Sequence, residues 1–584
     1  MPTIDKTVLQ NSELKETAMR ATWEMGSMFL AQGSKVDSKL ILAAYLLYVV
    51  SSNPSSSEIS YSQLFTLDLG LSPDAEFAIK ENISSKEWGS LLQLTEKYPP
   101  EIFAVIALTY DLSNEFKTSG SEATPESVVR LAQRILQVKP QDNVADVCCG
   151  YGTFLCESAL DEPSANYTGF EINTTNRLIA EIRTRLVSDT TSINLKDVFD
   201  LIDDNHLQQY DKIFSNYPFK LPLRHLGGGA KYITRLNERF PGVSKATSSD
   251  WVFNSLLCEL LADDGKSVAI MTNGSTSNGI DTPMRKHFVE NGLIESVIAL
   301  PGRMFYTTAI ATTMIVFSKG NKNVRIVDAS KICHQGRRYN EFTDEDIDTI
   351  MTALRNDGEN SKVIDLTELR QNEYTLSLSR YLTESITFAN AVPFESVIRS
   401  ITRGAPCTAR ELDEMASDKP TDMQYLMLAN IQNGIIDDNL PYLSHIDAKY
   451  EKYCLKDNHL ILSKNGYPYK IAIAKIQEGQ RILANGNLYI IELDEDKVNP
   501  YYLKAFFESE QGIAVLKSIT VGATIPNIGV DKLKKVEIPL PSLEVQKRIA
   551  ERYQATLDEI AAYKSKMEKA MNRLHHIFDE ESEK

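Results

Sequence analysis

Short apolar segments alternate with longer helical runs between residues 121 and 330, and this pattern is compatible with few protein folds. Helical runs such as residues 175–186 and 246–261 separate the apolar segments. Because strands that alternate with helices build parallel sheets with crossover helices, this region is predicted to be α/β. The predicted strands are residues 143–148, 166–171, 212–215, 267–272, 294–300 and 313–317.

The remaining chain divides where the pattern changes. Residues 1–120 are mostly helical and polar-faced, and residues 121–385 contain the α/β region. Short strands broken by Asn-Gly and Pro turns predict a separate α+β module over residues 386–543, and residues 544–584 are predicted to be one C-terminal helix. At about 100–200 residues per domain, a chain of 584 residues accommodates three to five such parts.

The C-terminal helix carries an apolar seam. Its members recur in steps of three or four, with Lys564 filling the single gap: Ile549, Tyr553, Leu557, Ile560, Met567, Met571, Leu574 and Phe578. Such a seam requires a second helix or another apolar surface to cover it. It either pairs with a helix of another chain or docks against its own chain, and we expect pairing.

Composition excludes several classes of protein. The seven cysteines are scattered with no Cys-x-x-Cys pair, so neither a disulfide framework nor a zinc site is predicted, and a reducing cytoplasm fits best. The longest apolar stretch, residues 41–50, is shorter than the roughly 20 residues that span a membrane, so no membrane span is expected. The N-terminus lacks a basic and apolar leader, so no secretion signal is expected. A net charge of −17 argues against a nonspecific polyanion binder but leaves a specific one open.

The first predicted strand runs into a glycine turn. Asp146 ends the strand, and Gly150 and Gly152 then form a tight turn into a helix. Glycines at this point allow a ligand to approach the backbone at the carboxyl end of a parallel strand, although a plain sharp turn is the alternative. A dinucleotide site would require a third glycine where Leu155 stands, which argues against NAD.

Acidic residues follow the next two strands. Glu171 ends the second strand, where a carboxylate suits ribose hydroxyls, and Asp197 follows a short apolar strand, where it could accept from an adenine amino group. Each acid alone could be a surface or capping residue. Three acids at successive strand ends of one sheet favour a ligand site.

The tetrapeptide Asn216-Tyr217-Pro218-Phe219 follows another apolar strand. The Asn216 side-chain carbonyl and the Tyr217 backbone carbonyl are two acceptors for an exocyclic amine. Pro218 stiffens the turn, and Phe219 offers a face on which a flipped base can stack. Two acceptors steer the amine's lone pair towards an electrophilic methyl, so catalysis is chiefly positioning. A polar turn with a buried aromatic is the alternative.

Together these motifs resemble the S-adenosylmethionine-dependent amino-methyltransferases of DNA, specifically the modification subunit of type I restriction–modification systems. The usual tetrapeptide of that family is Asn-Pro-Pro followed by Phe or Tyr, and Tyr217 stands here in place of the first Pro. The resemblance covers residues 1–385 and includes residues 122–129, 250–253, 261–270, 298–305, 311–319, 326–330 and 372–381.

The resemblance implies a Rossmann-like methyltransferase core with S-adenosylmethionine as its cofactor, and a closing hairpin near residues 298–319. Thr124 and Pro125 would contact the methionine end of the cofactor, and Asp197 its adenine. The implied cofactor-binding residues are Thr124, Pro125, Asp146, Gly150, Gly152, Glu171 and Asp197, and the implied catalytic residues are Asn216, Tyr217, Pro218 and Phe219.

The C-terminal module resembles a half-length specificity subunit of the same systems, on residues 458–466, 523–529 and 536–549. Such a module reads one half-site of double-stranded DNA, whereas ordinary specificity subunits carry two. One module plus a pairing helix implies either a homodimer or an asymmetric specificity-subunit partner. The candidate DNA-contacting residues, for which a solvated strand face is the alternative, are Lys464, Tyr467, Tyr469, Lys470 and Lys475.

The resulting hypothesis is a site-specific DNA adenine-N6 methyltransferase of a type I-like restriction–modification or related defence system. One alternative is a catalytically weak or inactive methyltransferase fold that acts as a DNA-binding specificity protein, motivated by Tyr217. A self-contained restriction enzyme is another, but the sequence has no Gly-x-x-x-x-Gly-Lys-Ser/Thr loop, so translocation and cleavage would need a separate restriction subunit. An RNA or protein methyltransferase is disfavoured by the specificity-like C-terminus.

Overall fold

The computed structural model describes residues 3–33, 37–53, 59–112, 124–203, 207–219, 221, 229–243, 247–305, 309–382, 388, 390–521 and 527–582. The chain forms two compact units, Met1–Leu382 and Thr383–Lys584. The finer boundaries near residues 120 and 543 stay predictions.

The first part of unit one is helical, as predicted. Its described helices are α1 (Lys6–Gln10), α2 (Ser12–Ala31), α3 (Asp37–Ser51), α4 (Tyr61–Leu64), α5 (Pro73–Asn82), α6 (Ser85–Leu92) and α7 (Pro100–Thr109). Helix α3 contains the long apolar stretch and is apolar on all sides, so it is buried among its neighbours. None of the described helices is both long and apolar enough to cross a bilayer.

Hydrogen bonds join these helices to the α/β region of the same unit. The Ile4 backbone N–H donates to the Leu186 carbonyl, and the Arg183 guanidinium donates to the carbonyls of Ala107 and Tyr110. Because Arg183 is buried, these acceptors satisfy a charge that would otherwise be costly to bury. The helical part and the α/β part therefore form one unit.

A nine-stranded sheet forms the centre of unit one. Its order is β11-β8-β6-β7-β5-β4-β1-β2-β3. The strands are β1 (Asn143–Val147), β2 (Asn166–Glu171), β3 (Thr191–Leu195), β4 (Tyr210–Ser215), β5 (Leu261–Thr272), β6 (Ile294–Ala299), β7 (Thr312–Phe317), β8 (Asn323–Asp328) and β11 (Ser361–Asp365). A short hairpin of β9 (His334–Gln335) and β10 (Asn340–Glu341) lies outside this sheet.

The α/β prediction is confirmed, but the expectation of a parallel sheet is wrong for β7, and β11 is a strand outside the predicted α/β region. Strand β7 runs antiparallel to both β5 and β6, and β11 runs antiparallel to β8. The described part of the connection from β6 to β7 contains no helix that could return the chain for a parallel crossover. The hairpin that the family resemblance implied near residues 298–319 is the antiparallel pair of β6 and β7.

Helices flank this sheet. They are α8 (Glu126–Leu136), α9 (Thr153–Asp161), α10 (Thr174–Val187), α11 (Gly229–Arg239), α12 (Ser249–Leu260), α13 (Thr282–Glu290), α14 (Asp344–Ala353), α15 (Leu366–Gln371) and α16 (Ser379–Leu382). The first βα turns follow the predicted order, since α9 follows β1 and α10 follows β2.

Unit two is an α+β module, as predicted. Its two four-stranded sheets have the orders β13-β22-β19-β20 and β14-β18-β15-β21. The strands are β12 (Ala391–Pro393), β13 (Ile398–Arg403), β14 (Ala416–Ser417), β15 (Met423–Leu426), β16 (Ile431–Gln432), β17 (Ile435–Ile436), β18 (Tyr442–Leu443), β19 (Leu460–Ser463), β20 (Ile471–Ile473), β21 (Arg481–Ala484), β22 (Leu488–Leu493), β23 (Thr520–Val521), β24 (Asn527–Ile528) and β25 (Glu537–Pro539). The helices are α17 (Ala409–Met415), α18 (Pro500–Glu508), α19 (Glu510–Ser518), α20 (Val530–Lys534) and α21 (Leu543–Ser582).

The C-terminal helix α21 docks on its own unit only at its beginning. The buried Gln546 side chain accepts from the Asn499 N–H and donates to the carbonyls of Lys497 and Pro541. Two turns further on, the Tyr553 hydroxyl donates to Glu508 of α18. The later seam residues are exposed: Ile560, Met567, Met571 and Leu574. The side chains of Lys564 and Phe578 lie outside the described part of the chain.

Candidate active site

The strand order reverses beside β1. Strands β2 and β3 follow β1 on one side of the sheet, whereas β4 and β5 lie on the other. Open α/β sheets bind ligands outside the carboxyl ends of their strands at such a switch point. The predicted site residues that follow β1, β2, β3 and β4 therefore share one edge of the sheet.

The glycine turn after β1 has a left-handed backbone at Cys148, Gly150 and Gly152, with φ values of 73°, 54° and 74°. A Cβ atom on Gly152 would lie 3.2 Å from the Cβ of Ala180, so this glycine allows α9 to pack closely on α10. Apart from Gly150 and its two chain neighbours, no described residue has an atom within 4 Å of a Cβ built on Gly150. Gly150 therefore leaves space at the edge of the sheet where a ligand would approach.

Two acidic side chains are buried beside this turn. One Asp146 carboxylate oxygen is buried and has no hydrogen-bond partner among the described residues. Burial raises the pKa of Asp146 well above its usual range, and the Glu171 charge raises that pKa further. An unsatisfied buried acceptor is costly, so a ligand that donates a hydrogen bond here would fit.

Glu171 is held by the backbone around it. Its two oxygens accept from the N–H groups of Gly150 at 2.9 Å and Asn173 at 2.7 Å. Burial raises the pKa of Glu171, and these N–H groups oppose the rise because they stabilise the charged form. The contact with Gly150 joins the second predicted acid to the glycine turn.

Asp197 is half-buried after β3, and its carboxylate accepts from the Phe199 N–H at 3.0 Å. This contact caps the turn that follows, as the capping alternative predicts. Sequence reasoning missed Ile172, whose side chain is 69% exposed directly after Glu171. An exposed apolar residue at a strand end offers a flat ligand ring a surface, and its position after an acid was the available signal.

Asn216 follows β4 and is fixed by a residue far away in sequence. Its side-chain amide donates to the Thr124 hydroxyl at 3.0 Å, and its Oδ1 is buried with no partner among the described residues. The amide orientation is assigned from this network. Thr124 was predicted to contact a cofactor, and the structure adds the contact with Asn216. Pro125 is buried at the start of α8.

The Tyr217 side chain points into the core. Its ring stacks on Phe253 with centroids 4.7 Å apart, and its hydroxyl donates to Asn254 Oδ1 at 2.9 Å. Burial raises the pKa of Tyr217 well above its usual range, so the hydroxyl stays a donor. Sequence reasoning missed Asn254, because nothing in a helical run marks which polar residue faces a distant loop.

The last two residues of the tetrapeptide lie at the surface. Pro218 is exposed, and Phe219 is half-buried with its ring 5.8 Å from that of Phe305 in an edge-to-face arrangement. The contact supports one side of the Phe219 ring. Its role as a stacking surface stays a prediction.

Two family models match the chain. Residues 106–387 match "N-6 DNA Methylase", and residues 415–569 match "Type I restriction modification DNA specificity domain". The chain joins an N-6 DNA methylase domain to a type I DNA specificity domain.

Several known proteins are similar to this chain. The type I restriction enzyme MjaVIII methylase subunit of Methanocaldococcus jannaschii is 26% identical over 297 residues, which are 45% of this chain and 50% of that protein. The MjaVII methylase subunit of the same organism is 28% identical over 295 residues, 45% of this chain and 49% of that protein. The chain thus spans about half the length of the curated relatives it matches.

A solved structure is also similar. The type I restriction-modification system methyltransferase subunit from Streptococcus thermophilus has 19% sequence identity and a TM-score of 0.48, and the match covers 63% of this chain and 99% of that one.

The specificity domain brings four of the five candidate DNA-contacting residues together. Lys464, Tyr467, Tyr469 and Lys470 lie in the turn between β19 and β20, whereas Lys475 follows β20 at the far end of that strand. Tyr467 is exposed, but Tyr469 bonds Thr520 and the Lys470 ammonium donates to the Leu428 carbonyl. Lys475 lies over the Tyr501 ring. Their DNA contacts stay predictions.

The methylase domain therefore has two buried hydrogen-bond acceptors without a donor among the described residues, the Asp146 carboxylate oxygen and Asn216 Oδ1, at one edge of its sheet. The first lies beside the glycine turn, and the second follows β4. Chemically, the edge suits a ligand with hydroxyl groups next to a second molecule that carries an amine.

Proposed function

We propose that this chain transfers a methyl group from S-adenosylmethionine to the N6 atom of adenine in double-stranded DNA, at a sequence read by its specificity domain. The observation that carries the proposal is the Asn216 Oδ1 atom, a buried acceptor without a partner among the described residues at the switch point of the sheet. A methylase-family match over residues 106–387 supports it.

The carboxylates and the open glycine turn at this edge of the sheet fit S-adenosylmethionine. The open space at Gly150 suits a ligand that carries hydroxyl and amino groups, and so does the Asp146 oxygen that has no partner among the described residues. Glu171 and Asp197 would hold its ribose and adenine, and Thr124 and Pro125 its methionine end. When bound, this cofactor supplies a methyl group on a positively charged sulfur.

The tetrapeptide would hold the target base. Asn216 Oδ1 and the Tyr217 carbonyl accept from the two N–H bonds of the adenine amine, which fixes the direction of its lone pair. The amine's surplus proton passes to water after transfer, so no strong base is needed. Phe219 stacks on the base once it has left the duplex, a step that costs a few kcal/mol.

The inactive alternative rested on Tyr217 in place of Pro. The buried Tyr217 ring, stacked on Phe253 and bonded to Asn254, restrains the loop in place of the proline ring. Its carbonyl belongs to the backbone and needs no particular side chain. These contacts favour the active enzyme.

The proposed partners are DNA and a second helix. The exposed seam of α21, from Ile560 to Leu574, would pair with a second copy of the chain or with a specificity subunit. Translocation and cleavage would require a separate restriction subunit. DNA as the substrate fits a cytoplasmic protein.

The test is Asn216→Ala. This variant should bind S-adenosylmethionine in calorimetry as tightly as the wild type and lose methylation of genomic adenine in methylation-sensitive long-read sequencing of expressing cells. The exposed Asn356→Ala is the matched control and should methylate normally. Undiminished methylation by Asn216→Ala would overturn the proposed function.

A further inference from the structure

A cavity of about 830 Å³ lies next to both ends of the catalytic loop, in unit one. Its wall includes Pro125, which follows Thr124, the partner of Asn216. It also includes Met304, which precedes Phe305, the ring in contact with Phe219. Pro125 is shared with the proposed cofactor site, whereas no residue of the tetrapeptide is among the lining residues of this cavity.

The outer wall of the cavity is the turn of the β9–β10 hairpin. Its central residues, Arg337 and Arg338, are exposed and line the cavity. The Arg303 guanidinium donates to the carbonyls of Arg337 at 3.0 Å and Arg338 at 2.8 Å. The Asn340 side chain donates to the Gly302 carbonyl, which ties the hairpin to the same segment. These hydrogen bonds hold the turn against the segment that contains Gly302 and Arg303.

This arginine turn, Arg337 and Arg338, carries two positive charges. Among the residues that the structure describes, neither has a carboxylate partner, whereas Arg130 on the opposite wall is paired with Asp344 at 2.7 Å. Glu126 and Glu341 also line the cavity, so the positive charge is confined to the turn. Water and salt screen the repulsion between these exposed cations, and an anion that meets both would be attracted by the two charges together.

We propose that the arginine turn contacts backbone phosphates of the DNA duplex that flanks the flipped adenine. Guanidinium groups bind phosphates with paired hydrogen bonds, and the turn projects beside the loop that would hold the base. Phosphate contacts fix the position of a duplex without reading its sequence. The inference rests on the proposed function and adds a positioning contact in the methylase domain itself.

The test is the double variant Arg337→Gln with Arg338→Gln, compared with Arg355→Gln, an exposed arginine outside the cavity. Binding of a fluorescent duplex of random sequence is measured by anisotropy over a range of KCl concentrations. The double variant should bind about tenfold more weakly, and its slope of log K against log salt should become shallower by about 2, or about 1 per phosphate contact. In methylation assays its KM for DNA should rise, with kcat at saturating DNA unchanged.

A double variant with the affinity and salt slope of the wild type would overturn the inference. An equal loss in Arg355→Gln would also overturn it, since the effect would then follow overall charge. A wild-type protein that binds DNA through these arginines but methylates no adenine would overturn the proposed function and leave the phosphate contact supported.

Discussion

The Asn216 side-chain amide donates a hydrogen bond to the Thr124 hydroxyl at 3.0 Å, joining two segments 92 residues apart. The contact fixes the Asn216 amide so that its oxygen, rather than its nitrogen, is left for a donor. The residue that would hold the target amine is thus positioned by the segment that would contact the cofactor. Methyl transfer should depend on this contact.

Replacing Thr124 with Val removes the acceptor at nearly constant shape. The Asn216 amide can then rotate, so kcat for methyl transfer should fall about fivefold, as expected for one lost hydrogen bond of about 1 kcal/mol. Steady-state kinetics on plasmid DNA measure this effect. Thr124→Ser keeps the hydroxyl and should retain most of the rate. A Thr124→Val enzyme with an unchanged kcat would contradict the positioning role, and a raised Kd for S-adenosylmethionine would identify the cofactor contact instead.

Replacing Tyr217 with Phe leaves the buried Asn254 Oδ1 without its donor. An unsatisfied buried acceptor costs about 1–3 kcal/mol, so the midpoint of thermal unfolding should fall while the backbone carbonyl of the loop is kept. The double variant Tyr217→Phe with Asn254→Leu should recover much of the loss, because both polar partners are then gone.

Tyr563→Phe is the matched control for that series. Tyr563 is exposed on α21 and bonds only an exposed carboxylate, Glu559, among the described residues. Its loss should change the midpoint of thermal unfolding little. An equal fall of the unfolding midpoint in Tyr217→Phe and Tyr563→Phe would show that the Tyr217–Asn254 hydrogen bond stabilises the fold no more than an exposed one.

Replacing Asp146 with Asn should stabilise the protein without cofactor at neutral pH. Burial and Glu171 raise the pKa of Asp146, so the folded state binds a proton more readily than the unfolded state. Stability then falls as pH rises from the unfolded pKa of about 3.9 towards the raised folded pKa, and it stays lower above that value. The neutral amide avoids this penalty.

The gain in Asp146→Asn should therefore be small near pH 4 and reach a plateau at higher pH. Differential scanning fluorimetry over this range measures it, at about 1 °C in the unfolding midpoint for each kcal/mol in a unit of this size. Asp264→Asn, at an exposed position in β5, should show no such profile. A lower midpoint for Asp146→Asn at neutral pH would mean that the carboxylate stabilises the fold instead.

Local patterns in the sequence predicted the helices and strands of this fold better than they predicted which strands pair with each other. Asp146 and Glu171 are within the last two residues of apolar strands, and Asn216 directly follows one. All three could be found because such strand ends share one edge of a parallel sheet. The antiparallel insertion of β7 between β5 and β6 depends on pairing across the sheet, which strand–helix alternation does not encode.

Long-range contacts of the site could not be predicted either, because local sequence patterns do not encode contacts between distant segments. Asn254 and Arg303 act through hydrogen bonds to a tyrosine hydroxyl and to turn carbonyls, and neither has a local signature. The family resemblance supplied Thr124 as a cofactor contact. Its bond to Asn216 could be read only from the folded chain.

The seam of α21 should hold two copies of the chain together. Met567 and Met571 are 63% and 53% exposed on one face of the helix, well beyond the part that docks on unit two. Replacing both with Glu puts charge on that face and should convert a dimer into monomers of 65.5 kDa, measured by light scattering during gel filtration. Ser565→Glu with Lys569→Glu adds charge to the opposite face, where both residues are exposed, and should leave the dimer intact. A wild-type protein that is already monomeric would exclude self-pairing and leave an asymmetric partner as the occupant of the seam.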